Sequence, residues 1–84
     1  MCTYETETIR ATGSGKGATG WFALDSAQVY VDHPVHTYAE HTLNIDFLNR
    51  GIGPAARVAV ELDGATARAL ADAITAALDN GPAT

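Results

Sequence analysis

An α+β fold is predicted by a change of period along the chain. Through the first two thirds apolar residues alternate with polar ones, as in half-buried strands. In the last third they recur at spacings of three and four, as on one face of a helix. Clusters of Gly, Asn, Asp and Pro separate the segments and supply the turns. The expected architecture is a two-layer single domain over residues 1–84. It has an antiparallel sheet of three or four strands and one C-terminal helix packed on one face. Strands are expected within 4–12, 20–33, 41–48 and 56–62, and the helix at about 65–79.

The first strand alternates Thr with Glu before reaching Ile9 and Ala11. Thr has strand propensity, and charge at Glu5 and Glu7 suits an edge strand kept from pairing with neighbours. The glycines at 13, 15, 17 and 20 suggest a flexible hairpin loop. Trp21, Phe22, Ala23 and Leu24 read as apolar strand, with the large aromatics expected in the core or lining a ligand pocket between sheet and helix. Asp25-Ser26 interrupts the segment as a bulge or tight turn. In 27–33 the residues Ala27, Val29, Val31 and His33 share one parity, and Pro34 ends the strand because it cannot donate to the ladder. In 41–48 His41, Leu43, Ile45 and Phe47 form one face, with Thr42, Asn44 and Asp46 on the other. Val58, Val60 and Leu62 mark a further inward face. Asp63 is the expected N-cap, its carboxylate accepting from first-turn amides. Ala67, Leu70, Ala71, Ile74, Ala77 and Leu78 form the apolar stripe, and Asn80-Gly81-Pro82 stops the helix with a left-handed cap.

Size and charge exclude several functions. Eighty-four residues cannot hold a doubly wound nucleotide fold, a TIM barrel or two lobes with a cleft between them. Ten acidic against five basic residues give a formal charge of −5, which argues against nucleic acid as a partner. No apolar run approaches the roughly 20 residues that span a bilayer. The start lacks the basic and apolar regions of a signal peptide, so a cytoplasmic protein is expected. Cys2 is the single cysteine, which rules out an intrachain disulfide. If methionine removal exposed it, an amine beside a thiol would make a chelate or a nucleophile; otherwise it is an ordinary cysteine near a chain end.

Gly15, Gly17 and Gly20 formally match a G-x-G-x-x-G phosphate loop. That motif works where it opens a helix inside a βαβ unit, and here it runs into Trp21-Phe22. The histidines carry more chemistry. His33, His36 and His41 lie within nine residues, spaced H-x2-H-x4-H, with Glu40 beside the last. If 27–33 and 41–48 form a hairpin, His33 stands opposite or nearly opposite His41. Opposed side chains on one sheet face have Cβ atoms about 4.5–5.5 Å apart. Two imidazoles so placed can converge on one ion, with His36 completing the set and Glu40 assisting it or acting as base. Zinc fits best, though copper, iron or nickel also suit nitrogen ligands. Cys2 and Asp32 are possible additions. The competing reading makes these histidines ordinary surface residues or caps on the sheet. The other carboxylates, Asp46 among them, read as solvated charge, with Asp46 facing Gln28.

The opening Met1-Cys2-Thr3-Tyr4-Glu5, the Gly-Ser-Gly-Lys-Gly segment at 13–17, Asp32-His33-Pro34 and the run from Glu40 through Phe47 resemble a family of short actinobacterial proteins of unknown function. The resemblance spans nearly the whole chain. It implies a bacterial cytoplasmic origin and brings no catalytic residues with it.

Two functions are therefore expected in competition. One is a small metal-binding protein in which His33, His36 and His41 hold a divalent transition metal. Should it be an enzyme, metal-activated water would hydrolyse or hydrate a small-molecule substrate, with Glu40 as its catalytic carboxylate. The other is a non-catalytic assembly module presenting a sheet face or edge to a partner. In either case a domain this small is marginal alone, and a homo-oligomer is expected.

Overall fold

The computed structural model describes residues 5–33 and 40–84. Among them six strands precede one helix: β1 Glu7–Arg10, β2 Ser14–Gly17, β3 Gly20–Ala23, β4 Ser26–Asp32, β5 Thr42–Leu48, β6 Arg57–Leu62 and α1 Gly64–Asn80. Four strands form an antiparallel sheet in the order β1-β4-β5-β6, while β2 and β3 make a separate two-stranded ribbon. The chain is α+β, with the single C-terminal helix that its change of period predicts. No described helix is long and apolar enough to cross a membrane.

Strand pairing sorts the side chains by parity. Ala27 pairs with Phe47 and Phe47 with Val58, Val29 with Ile45 and Ile45 with Val60, Val31 with Leu43 and Leu43 with Leu62. One face of the sheet is therefore aliphatic and aromatic across three strands, because side chains two apart point the same way. Ile9 extends it onto the edge strand β1 by pairing with Ala27. The other face carries Gln28 opposite Asp46 and Tyr30 opposite Asn44, the pairing the alternation predicts for Asp46.

The glycine-rich segment is not a loop. Ser14–Gly17 is a strand, its Gly15 opposite Phe22 and its Lys16 opposite Trp21, with a two-residue reversal between Gly17 and Gly20. A Cβ on Gly17 would lie 3.1 Å from the Phe22 ring, and one on Gly15 would lie 3.2 Å from Leu24 Cδ2 and 3.4 Å from Val58 Cγ2. The missing side chains let the ribbon lie close against β6, a use of strand glycine that composition alone disguises as flexibility. Trp21 is not core: it is 71% exposed, on the ribbon face opposite to Phe22.

Two polar residues pin the ribbon to the sheet. The interruption at Asp25 separates β3 from β4: its amide donates to Leu48 O, its carbonyl accepts from Ala11, and its carboxylate accepts from Ser26 Oγ and the Arg50 amide. Asn49 Nδ2 donates to Ala23 O at 2.8 Å, while its Oδ1 accepts from Gly51 and Ile52 in the turn before β6. Each satisfies backbone groups that the change of direction leaves without ladder partners.

Asp63 caps α1 as expected, its carboxylate accepting from the Thr66 amide at 2.7 Å. That contact holds its carboxyl below the ordinary value. The stop differs from expectation. Gly81 is extended (φ −97°, ψ 177°) rather than left-handed, and its amide donates to Ala77 O. The larger difference is burial. α1 approaches the sheet mainly at β5, yet none of its residues is buried, and Leu70, Ile74 and Leu78 are 40, 53 and 58% exposed. The stripe lies along an open groove of about 530 Å³ between sheet and helix.

Candidate metal centre

Continuing the β4–β5 register one step beyond Asp32 and Thr42 sets His33 opposite His41. The two rings lie with centroids 4.8 Å apart and planes tilted by 32°. Two imidazoles on one tetrahedral ion, each bound at about 2.0–2.1 Å, have centroids about 5 Å apart. The pair is thus spaced as a bidentate clamp would be. It results from strand pairing, since a slip of one residue would turn one ring to the opposite face.

His33 Nδ1 lies 3.3 Å from the carbonyl oxygen of Glu40. A carbonyl oxygen only accepts, so this contact places the proton on Nδ1 and leaves the Nε2 lone pair available. Metal-binding histidines are commonly oriented by such a bond. Asp32 Oδ1 accepts from the His33 amide at 2.7 Å, holding the backbone where the strand ends. Its pairing with Thr42 puts its side chain on the sheet face opposite the two rings. Glu40 and His33 are exposed, whereas His41 is half-buried and lines the mouth of the groove beside Thr42 and Leu43.

His36 and Cys2 lie outside the described residues. Within those residues no group of three or more His, Cys, Asp or Glu side chains is poised around a common point. The structure thus brings together two predicted ligands, His33 and His41, and adds the Glu40 carbonyl as an orienting group. Sequence reasoning valued Glu40 for its carboxylate and missed its backbone.

A second polar cluster was also missed. Asp46 is buried, at 7% exposure, and is not the solvated charge its type suggests. Its Oδ1 accepts from Arg57 Nη2 at 2.9 Å and its Oδ2 from the Tyr30 hydroxyl at 2.9 Å. Both partners sit diagonally from it on neighbouring strands, within reach of long side chains. Burial, followed by the bond to Asp46, pushes the Tyr30 phenol up. The same carboxylate raises the Arg57 guanidinium. The parity of Tyr30 and Asp46 was legible, but the diagonal from Arg57 required the β5–β6 register. Every oxygen of this carboxylate is engaged, so the cluster is a cross-strand tie and not a reactive acid.

The groove carries neither Trp21 nor Phe22, correcting the expected aromatic pocket. Its walls are mainly aliphatic, Val29, Val31, Leu43 and Ile45 from the sheet facing Leu70 and Ile74 from the helix, with His41, Thr42 and Arg68 also lining it.

The chain belongs to a family of unknown function, DUF6295, whose sequence profile matches residues 1–84. No curated protein and no solved structure matches it.

Proposed function

We propose that this protein binds a divalent transition metal, zinc in the first instance, between His33 and His41. His36 supplies a third nitrogen from the adjoining segment, with Cys2 as the reserve donor; Asp32, on the opposite face of the sheet, is not among the ligands. The observation that carries the reading is the 4.8 Å separation of the two rings, fixed by antiparallel register. The Glu40 carbonyl at His33 Nδ1 supports it, because it leaves Nε2 as the ligand atom. Three protein donors would leave a fourth position for water, and the Glu40 carboxylate is one residue from His41 to take that water's proton. Hydrolysis or hydration of a small substrate is the chemistry such a centre would support.

The test is native mass spectrometry and metal analysis of protein purified without a polyhistidine tag. One equivalent of metal per chain, lost together with His33→Ala or His41→Ala, is the expected result. Metal content well below one equivalent, with no thermal shift on adding zinc, copper or nickel, would reject the reading and leave the histidines as a stacked pair at a strand end.

A further inference from the structure

We propose that a second copy of this chain closes the groove between α1 and the sheet, the two α1 helices packing antiparallel about Ile74. This surface is separate from the histidine pair and does not depend on it.

The described chain has almost no interior of its own. Its buried hydrophobic residues are two alanines, Ala27 and Ala56, while Val31, Val60, Leu70, Ile74 and Leu78 remain exposed on the facing sides of sheet and helix. The radius of gyration is 14.0 Å, against about 12 Å for a compact chain of this length. The accessible surface is 6396 Å², where a compact monomer of this mass exposes about 4800 Å². The surplus exceeds the roughly 800 Å² that one partner contributes to a standard interface. Obligate dimers have this form, each chain holding half of a shared core.

The helix is complementary to itself. Leu70 lies four residues before Ile74 and Leu78 four after, so a two-fold axis at Ile74 sets Leu70 of each copy against Leu78 of the other. A line of apolar side chains that maps onto itself about Ile74 is what an isologous two-fold contact requires.

Sedimentation equilibrium of the full chain, run with and without chelator, should give a species of twice the 8.8 kDa chain mass in both. Ile74→Cys in a Cys2→Ser background should cross-link between copies under mild oxidation. Leu70→Glu or Leu78→Glu should weaken association about tenfold or more, with far-UV circular dichroism confirming the fold of each. A folded 8.8 kDa species at micromolar concentration would overturn the proposal. So would a dimer that dissociates with chelator, one whose I74C variant does not cross-link, or a monomer whose groove takes up a hydrophobic dye.

Discussion

His33 and His41 come within 4.8 Å of each other because Asp32 pairs with Thr42 one step earlier in the β4–β5 ladder. The relationship follows from the sheet register. A function that uses both rings therefore rests on the step just beyond the end of that ladder.

Removing either ring should abolish the clamp. His33→Ala or His41→Ala should weaken zinc binding by more than the roughly 10–100-fold lost when a ligand's hydrogen-bonding partner is removed. Binding should also fall in acid, because a ligand imidazole must be neutral. Isothermal titration across pH checks both, and unchanged affinity in either variant would remove that residue from the site.

The cross-strand tie at Asp46 predicts a stability difference. Arg57→Ala leaves a buried carboxylate with Tyr30 as its remaining hydrogen-bond donor, and should cost about 1–2 kcal/mol, because the half-exposed guanidinium is partly screened by water. Tyr30→Phe should cost about 1 kcal/mol. Urea unfolding of both single variants and the double variant should show non-additive losses, since the two share one partner.

Tyr30 should ionise late. Its folded-state value is raised above the usual phenol value of about 10. The associated stability is therefore complete below that value and is lost as pH climbs through the folded-state one. Spectrophotometric titration of the native protein minus that of Tyr30→Phe should isolate a component titrating above pH 10.

The helix cap should respond to acid in the opposite sense. Asp63 is held below its ordinary value by Thr66, so its contribution is present above the unfolded value and disappears as pH falls through the folded one. Far-UV circular dichroism should show helix lost below about pH 4, with a smaller acid response in Asp63→Ala.

Two glycines should behave oppositely. Gly17→Ala forces a methyl to within 3.1 Å of the Phe22 ring and should destabilise by about 1–3 kcal/mol. Gly64→Ala meets nothing within 4 Å at the start of α1 and should stabilise by about 0.4–1 kcal/mol. Thermal melts of the pair distinguish packing from backbone freedom.

Local periodicity was enough to place β4, β5, β6 and α1, to name Asp63 as the cap, and to set Asp46 opposite Gln28. Alternation and 3.6-residue spacing are written into neighbouring residues, and a single hairpin reversal carries the histidine pairing with them. The glycine strand was not legible, because its reason is the approach of Phe22, Leu24 and Val58 from other segments. Asp46 looked solvated for the same cause: its partners are diagonal neighbours that exist only once three strands are in register. Exposure of Trp21 and of the α1 stripe was likewise a tertiary decision. Sequence determines which face of an element is apolar, but only the assembled layers decide whether that face meets another, since burial depends on distances between segments and not on order along the chain.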